Sequence, residues 1–380
     1  MTASVGTARA MGSGGWLAGE VPVPEVPEPL RIVAPDGRIV DPVLFDSLNL
    51  GPVELGGLMR AMVVMRDLDE EYVNLQRQGQ LALWPPSRGQ EAAQVGCANA
   101  IEPTDWLFPT YRELGLLLHR GVDVGAIGLM WRGATNGVAG MTERRIAPLS
   151  IPIGTQVLHA AGAAMAAQME RDDSIVIAFL GDGATSEGDV HEALNFAGVF
   201  GLPCVFFVQN NQWAISTPVT SQTAAPSLAH KAAGYGMPGL RVDGNDVLAT
   251  LLVTRQAAAW CRSGRGPVLV EAVTYRAGPH TTSDDPSRYR SGEDEAAAAA
   301  LDPLTRFRRL LDDRGLIDEG FDAGTAQESQ LLRSALRSAV FDAPDPSPAT
   351  TFDHVTAYPD PTRASQRRQL LAELGGGHDG

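Results

Sequence analysis

The stretch Ser174-Ile175-Val176-Ile177-Ala178-Phe179-Leu180 runs directly into Gly181-Asp182-Gly183, and the two together decide the fold. A continuous apolar run rich in β-branched residues predicts a strand that is buried on both faces of a parallel sheet. The glycines after it predict a tight turn that opens a helix. Ser186 and Asp189 are spaced like a capping box at the start of that helix, and Gly201-Leu202-Pro203 marks its end.

The alternation of strands and helices continues along the chain. We expect buried strands over 204–208 and 267–274, a short strand with its turn over 240–245, and a helix over 246–261. Helical additions are predicted N-terminal to the sheet, where apolar residues recur at helical spacing near 58–80, and C-terminal to it, near 296–314 and 326–340. Strands that alternate with helices build a doubly wound, mostly parallel sheet. The predicted fold class is therefore α/β.

Segments outside the sheet divide the chain into an arm, a domain and a tail. Residues 1–40 are rich in Gly, Ala and Pro, which predicts a flexible, solvated arm. The α/β domain extends over 41–340, and a tail with a short helix follows over 341–380. The run 154–169 is poor in bulky side chains and predicts a helix that packs closely against a neighbour such as another subunit. The polar segment 275–295 predicts an exposed, mobile loop.

Composition and charge exclude several classes of function. The 380 residues include 30 Lys+Arg and 45 Asp+Glu, and the formal net charge of −15 disfavours binding to nucleic acid or to anionic membranes. The three cysteines, Cys97, Cys204 and Cys261, are too few and too far apart for a disulfide framework or a zinc cluster. Because the sequence has no stretch apolar enough for a membrane span, we expect a cytoplasmic protein.

The Gly-Asp-Gly turn is a candidate phosphate site, because ligands bind beyond the carboxyl ends of parallel strands and anions favour helix N-termini. A Walker loop needs lysine where this chain has Asp189, so its charge is wrong. A dinucleotide fingerprint needs glycine at the position of Ser186 and an acidic residue after the next strand, where Asn210-Asn211 stands. The sequence therefore excludes both of these nucleotide sites.

A diphosphate held through a divalent cation fits the same turn. Asp182 follows one strand and Asn210-Asn211 follows the next, so both segments leave the same edge of a parallel sheet. Mg²⁺ prefers oxygen ligands, including carboxylate, amide, carbonyl and phosphate oxygens. Gly183 lets the backbone approach the diphosphate. The sequence therefore predicts a site for Mg²⁺ and a diphosphate.

These residues resemble the thiamine diphosphate motif, and the wider sequence resembles the alpha subunit of the decarboxylating first component of 2-oxo acid dehydrogenase complexes. The matching segments lie in order within residues 55–340: Arg-Gly-Gln-Glu-Ala at 88–92, Phe-Pro-Thr-Tyr-Arg-Glu at 108–113, Gly-Asp-Gly-Ala-Thr-Ser-Glu-Gly-Asp at 181–189, Gln-Asn-Asn-Gln-Trp-Ala-Ile-Ser at 209–216 and His-Thr-Thr-Ser-Asp-Asp at 280–285.

The resemblance implies a ligand set for thiamine diphosphate and Mg²⁺. The metal would be bound by Asp182, the side chain of Asn211 and the main-chain carbonyl of Trp213, where the family usually has Tyr. The residues implied to bind the cofactor are Tyr111, Arg112, Ile153, Gly181, Asp182, Gly183, Ala184, Gln209, Asn211 and His280. Ile153 is the bulky residue against which the cofactor would bend. Gln209 stands where some members have Arg, so this chain lacks a cation there.

Two further roles follow from the resemblance. His280 is the expected acid–base residue, since imidazole exchanges a proton near neutral pH and a loop can bring it to the cofactor. In the branched-chain branch of the family, a monovalent-cation site, which implies K⁺, matches Ser150, Pro152, Thr155 and Gln156.

The implied activity is decarboxylation of a 2-oxo acid on thiamine diphosphate, followed by transfer of the acyl group to the lipoyl group of a dihydrolipoyl acyltransferase. The family's activating glutamate lies in a separate α/β domain, and this chain has room for one such domain. We therefore expect a beta subunit that completes the active site in an α₂β₂ assembly. Branched-chain 2-oxo acids are the expected substrates, with pyruvate and then acetoin as alternatives. A non-catalytic scaffold of this fold and a nucleotide-dependent oxidoreductase are the alternatives from other classes.

Overall fold

The computed structural model describes residues 26–135, 137–353 and 355–375. At its centre lies a parallel sheet of five strands in the spatial order β1-β2-β3-β7-β6, beside a small antiparallel hairpin of β4 and β5. The strands are β1 (Trp106–Phe108), β2 (Val176–Gly181), β3 (Cys204–Asn210), β4 (Trp213–Ala214), β5 (Thr217–Pro218), β6 (Gly239–Asp243) and β7 (Val268–Val273).

Helices cover both faces of the sheet. In the described part of the chain they are α1 (Pro42–Ser47), α2 (Pro52–Arg77), α3 (Glu91–Ala98), α4 (Leu114–His119), α5 (Val124–Arg132), α6 (Thr155–Glu170), α7 (Gly188–Phe200), α8 (Val219–Gln222), α9 (Val247–Arg262), α10 (Gly292–Ala299), α11 (Pro303–Asp313), α12 (Glu319–Asp342) and α13 (Pro361–Gly375). None of these helices combines the length and the apolarity that crossing a membrane requires. The predicted α/β class with helical additions is confirmed.

The apolar run that predicted β2 supplies two cores at once. Ile177 and Phe179 belong to the core that contains α2, α3 and α9, whereas Val176, Ala178 and Leu180 belong to the core that contains α6 and α7. Successive side chains of a strand point to opposite faces, so a strand covered by helices on both sides needs apolar residues at every position. The absence of polar alternation in this run follows directly from that burial.

The register of the sheet brings the two predicted site segments together. Gly181, the last residue of β2, pairs with Gln209 of β3. Asp182 and Asn210 are the next residues along the chain. The Gly-Asp-Gly turn and the paired asparagines therefore start at the same edge of the sheet.

Part of the predicted arm is folded onto the sheet. Residues 30–34 run alongside β6, where Ile32 and Val33 are almost completely buried. The N–H groups of these two residues each donate to the carboxylate of Asp246 at 2.7 Å. The expectation of a solvated arm is wrong for this segment, because its apolar residues cover the edge of the sheet. Residues 1–25 of the expected arm lie outside the described residues.

The helix after the Gly-Asp-Gly turn begins differently from the prediction. Gly183–Ser186 form a 3-10 turn, and α7 begins at Gly188 after Glu187, whose side chain makes no capping hydrogen bond. The predicted capping box of Ser186 and Asp189 is therefore wrong. Ser186 belongs to the preceding 3-10 turn, so Glu187 rather than Ser186 stands at the N-cap position of α7.

The packing of residues 30–34 generates a stability prediction. Arg306 of α11 is 1% exposed, and it donates to Asp243 Oδ2 at 2.9 Å and to Val33 O at 2.8 Å. The variant Arg306→Met removes this ion pair, and Asp243 then keeps one ionic partner among the described residues, Arg31. Breaking a buried ion pair on one side costs about 3 kcal/mol. Urea unfolding should show that loss, whereas Arg368→Met, at an exposed position of α13, should unfold like the unaltered chain. Equal stabilities of all three proteins would contradict the role given to Arg306.

Candidate active site

A cavity of about 240 Å³ opens where β2 and β3 end. Most of the sequence-predicted site residues line it, namely Tyr111, Arg112, Ser150, Pro152, Ile153, Gln156, Gly181, Asp182, Gly183, Ala184, Gln209, Asn211, Trp213 and His280. Thr155, the first residue of α6, lies outside this lining. The residues that the resemblance implied are thus brought together from five separate segments of the chain.

Asp182 carries an almost inaccessible carboxylate. The residue is 1% exposed, and its Oδ2 accepts a hydrogen bond from Gln222 Nε2 at 2.6 Å. Burial raises the pKa of Asp182, although the Gln222 amide, the charge of Arg276 and the Asn211 N–H group act in the opposite direction. Among the described residues no basic side chain forms an ion pair with this carboxylate, so a bound cation would recover the cost of its burial.

The hairpin of β4 and β5 packs directly against the Gly-Asp-Gly turn. A Cβ at Gly183 would lie 2.7 Å from the Cβ of Ala214, so a larger residue would push the hairpin away. This packing brings Trp213 to the same cavity as Asp182 and Asn211. Glycine at 183 therefore serves the approach of the hairpin as well as the predicted approach of a diphosphate.

The implied Mg²⁺ ligands present suitable oxygens. Asn211 Oδ1 accepts from the Trp213 N–H group at 3.2 Å, and Trp213 O accepts from Arg276 Nη1 at 3.2 Å. Both hydrogen bonds are at the long end of the usual range, so breaking them to let the two oxygens coordinate a metal would cost little free energy. The described ranges hold no cluster of three or more His, Cys, Asp or Glu side chains that could bind a metal. One carboxylate with an amide and a carbonyl oxygen fits a hard cation such as Mg²⁺ that is completed by phosphate and water.

Two buried arginines give this region its positive charge. Arg112 donates to Pro86 O at 2.5 Å and to His280 O at 3.0 Å, and Arg276 is 0% exposed. In the described chain neither guanidinium forms an ion pair. Burial, together with the charges of Arg112 and Arg290, lowers the pKa of Arg276 to about 10. Guanidinium groups that are buried without an anion suit a diphosphate, which offers several charged acceptor oxygens.

His280 lies between these two arginines. Its Nδ1 is 3.2 Å from Arg112 Nη2 and 3.4 Å from Arg276 Nη1. Because guanidinium groups only donate, Nδ1 acts as the acceptor and the ring proton resides on Nε2. Burial and the charges of both arginines lower the pKa of His280 to about 4. The imidazole is therefore neutral at pH 7, and its one exchangeable proton is on Nε2.

The loop that carries His280 is fixed by a chain of hydrogen bonds. Asp284 accepts from the His280 N–H group at 2.8 Å and from the Tyr289 hydroxyl, which in turn accepts from Arg276 Nη2 at 2.9 Å. The expectation that 275–295 is an exposed loop is wrong at Arg276. This side chain is buried and bonded to the main-chain carbonyls of Trp213 and Ile215. Polar composition alone could not distinguish such a buried arginine from a solvated one.

Gln209 is bonded to a buried acid. Its Nε2 donates to Glu113 Oε1 at 2.7 Å, and Thr110 Oγ1 donates to Glu113 Oε2 at 2.7 Å. Burial raises the pKa of Glu113. The amide oxygen of Gln209, Oε1, is buried and has no hydrogen-bond partner among the described residues. At the position where some members of the family have arginine, this chain thus has a neutral amide that donates a hydrogen bond to the carboxyl group of Glu113.

The residues that sequence reasoning missed include three that hydrogen-bond predicted site residues. Gln222 bonds Asp182, Gln90 accepts from Asn211 Nδ2 at 3.2 Å, and Glu113 bonds Gln209. Gln90 and Glu113 lie in segments that carry the resemblance, so the motif gave a signal for them. Gln222 lies in α8, outside every matching segment, and the sequence offers no signal for it.

The four residues matched to a monovalent-cation site lie just before and at the start of α6. Ser150 Oγ donates to Pro152 O at 2.9 Å. Gln156 Nε2 donates to Phe179 O at 2.7 Å, and Gln156 Oε1 is buried without a partner in the described residues. A buried amide oxygen of this kind is a suitable cation ligand.

Comparisons with known proteins identify relatives of this chain. The chain is 58% identical over 347 residues to the 3-methyl-2-oxobutanoate dehydrogenase subunit alpha of Mycobacterium tuberculosis (strain H37Rv), which covers 91% of this chain and 94% of that relative. It is 43% identical over 272 residues to the pyruvate dehydrogenase E1 component subunit alpha of Acholeplasma laidlawii (71% of this chain, 79% of the relative). The corresponding subunit of Staphylococcus aureus (strain Mu50) is 37% identical over 314 residues (82% of this chain, 84% of the relative).

Residues 59–347 match the dehydrogenase E1 component family. The chain therefore belongs to this family of thiamine diphosphate-dependent enzymes, and the resemblance found in its motifs is confirmed.

Proposed function

We propose that this chain is the alpha subunit of a branched-chain 2-oxo acid dehydrogenase. The enzyme decarboxylates acids such as 3-methyl-2-oxobutanoate with thiamine diphosphate and passes the acyl group to a lipoylated dihydrolipoyl acyltransferase. The observation that carries the proposal is one cavity lined by the buried Asp182 carboxylate and the buried Arg112 guanidinium, neither of which forms an ion pair among the described residues; a second buried arginine, Arg276, lies behind the lining and bonds the main-chain carbonyls of Trp213 and Ile215. Such a site suits a metal-bound diphosphate better than any neutral ligand.

The choice of substrate rests on the relatives. The subunit named for 3-methyl-2-oxobutanoate is 58% identical over 347 residues, whereas a subunit named for pyruvate is 43% identical over 272 residues. This favours branched-chain 2-oxo acids, with pyruvate as the second candidate and acetoin as the third. The presence of Asp182 and Asn211 in one cavity argues against a scaffold that has lost its cofactor.

Each residue of this chain has a distinct task in the proposed site. Asp182, Asn211 and the Trp213 carbonyl would bind Mg²⁺, and Arg112 would bind the diphosphate. The cofactor, when bound, accepts the electrons released as CO₂ leaves. His280 holds a proton on Nε2 at the cavity and acts as the acid–base residue. Ile153, which is 45% exposed at the cavity, would press on the cofactor and bend it.

The buried oxygen of Gln156 supports a K⁺ site with Ser150, Pro152 and Thr155. Such a cation would tie the segment 150–156 to the end of β2, since Gln156 also bonds Phe179 O. Its role in this proposal is structural, because it would fix the position of Ile153 at the cavity.

A beta subunit is expected to complete the active site in a heterotetramer of two alpha and two beta subunits. The support is an apolar surface on α6 and α7, where Met169 is 79% exposed and Val199 is 70% exposed, with Phe196 and Phe200 beside them. Contiguous exposed apolar residues of this kind mark protein interfaces.

The metal role of Asp182 can be tested by calorimetry. Asp182→Ala removes the one charged ligand proposed for Mg²⁺. Loss of a direct ligand should weaken Mg²⁺-dependent binding of thiamine diphosphate at least as much as loss of an outer partner, which costs about 10- to 100-fold. Asp189→Ala, an exposed residue of α7 seven positions along the chain, should bind like the unaltered protein. Tight binding by Asp182→Ala would refute the proposed site.

The acid–base residue generates a pH prediction. The pKa of His280 lies at about 4 in the folded chain against 6.5 for an ordinary histidine, so the unfolded chain takes up this proton first as the pH falls. The contribution of His280 to stability is therefore lost as the pH is lowered through that window. Histidine NMR should show a neutral ring, protonated on Nε2, at pH 6 to 8, as is expected for a pKa near 4.

Inorganic pyrophosphate with Mg²⁺ should raise the pKa of His280, because the anion offsets the charges of Arg112 and Arg276. The His280→Gln variant identifies the signal by its loss. A ring that already titrates near its ordinary pKa in the free chain, or one that pyrophosphate leaves unchanged, would contradict this assignment.

Substrate and assembly can be tested together. The chain alone should release no CO₂ from any 2-oxo acid, and the chain assembled with its beta partner should release it faster from 3-methyl-2-oxobutanoate and 4-methyl-2-oxopentanoate than from pyruvate. Faster turnover of pyruvate would move the assignment to the second candidate. Turnover by the chain alone would disprove the shared active site.

A further inference from the structure

Lys231 is the single lysine of the chain, which has 30 lysines and arginines in total. It lies in the 3-10 segment Leu228–Tyr235, between the hairpin and β6, and it is outside every segment that carries the family resemblance. A chain that uses arginine at all its other basic positions has a lysine here, and the contacts of this side chain give a reason.

The ammonium group of Lys231 bonds one residue twice. Its Nζ donates to Thr185 O at 2.9 Å and to Thr185 Oγ1 at 2.9 Å. Three donors on a single nitrogen can converge on two oxygens of one residue, whereas a planar guanidinium spreads its donors over a wider fork. The geometry at Thr185 therefore favours lysine over arginine.

Lys231 has no carboxylate partner in the part of the chain that the structure describes. The side chain is half-buried, and burial lowers its pKa. A partly desolvated charge that is bonded to neutral oxygens costs free energy unless its hydrogen bonds are well placed. The two bonds to Thr185 therefore carry the stabilisation of this group.

Thr185 in turn fixes the main chain of the metal-binding turn. It is 3% exposed, its Oγ1 donates to Asp182 O at 2.8 Å, and its N–H group donates to the same oxygen at 3.1 Å. Asp182 O is thus held twice by Thr185, and Thr185 is held twice by Lys231. This hydrogen-bonded chain ends at the residue whose carboxylate is the proposed Mg²⁺ ligand.

We infer that Lys231 is a positioning residue for the Mg²⁺ and diphosphate site, which it serves by holding the Gly183–Ser186 turn through Thr185 in the conformation that presents the Asp182 carboxylate. The inference rests on the proposed function. Lys231 contacts neither the metal nor the diphosphate in this scheme. Its loss should therefore weaken the binding of Mg²⁺ and the cofactor more than it lowers the turnover rate of the fully loaded enzyme.

The test uses the chain assembled with its beta partner and titrates thiamine diphosphate calorimetrically at several Mg²⁺ concentrations. Lys231→Met should weaken cofactor binding by about 10-fold, the effect typical of losing an outer partner of a metal ligand, and should raise the Mg²⁺ concentration needed for half-saturation. The kcat at saturating cofactor and Mg²⁺ should stay close to that of the unaltered enzyme. Lys231→Arg, which keeps the charge and a donor, should recover part of the loss.

Thr185→Val gives an independent variant, since it removes the hydroxyl that links Lys231 to Asp182 at nearly constant volume. If the two residues act in one chain, the loss of cofactor affinity in the double variant should be smaller than the sum of the two single losses. Arg255→Met, an exposed basic residue of α9, is the matched control and should change neither quantity. If Lys231→Met fails to assemble, the Thr185→Val titration decides alone. Weaker Mg²⁺-dependent binding of the cofactor supports the inference, and unchanged binding overturns it.

Two results overturn the inference: unchanged cofactor and Mg²⁺ binding in Lys231→Met and Thr185→Val, or additive losses in the double variant. Both are distinct from a failure of the proposed function, in which the unaltered assembly itself would show no Mg²⁺-dependent binding of thiamine diphosphate.

Discussion

The site depends on charges that are buried at the end of a parallel sheet without partners of opposite sign in the described residues. The Asp182 carboxylate and the Arg112 guanidinium line the cavity, and the Arg276 guanidinium lies behind the lining, where it donates to Trp213 O. The chain does not pair these charges with one another, although pairing would reduce the cost of burial. A metal cation bound to a diphosphate would neutralise both kinds of group at once, so these buried charges suit the ligand proposed for the site.

Much of this arrangement could be predicted from the sequence, because it follows from local patterns. The apolar run before Gly181 specifies a strand buried on both faces, and parallel pairing then places Asp182 next to the asparagines that follow β3. What could not be predicted depends on contacts between distant segments. The three residues of β1 are too few to show periodicity, residues 30–34 are recognisable only once β6 offers an edge, and the burial of Arg276 depends on main-chain carbonyls at Trp213 and Ile215.

The pair of Glu113 and Gln209 illustrates how one substitution changes the balance of such a site. An arginine at position 209, as in some members of the family, would bring a cation to the buried carboxyl group of Glu113. Here the Gln209 amide donates one hydrogen bond to the Glu113 carboxyl group, and burial raises the pKa of Glu113. A protonated, neutral Glu113 would repel a diphosphate far less than a carboxylate would. The loss of the cation at 209 is thus partly offset, because the acid beside it is held toward its neutral form.

The same electrostatics link the filling of the site to His280, the proposed acid–base residue. His280 is kept neutral by burial and by two arginines whose charges no acidic side chain offsets within 4 Å in the described residues. Once a diphosphate satisfies those arginines, the field that opposes protonation of the imidazole is reduced, and the pKa of the ring moves back toward the range in which proton exchange at pH 7 is efficient. If His280 is the acid–base residue, as proposed, the bound cofactor would therefore make it more competent for proton exchange. The loop anchored by Asp284 and Tyr289 holds His280 between the arginines, and this position is what makes its protonation depend on the ligand.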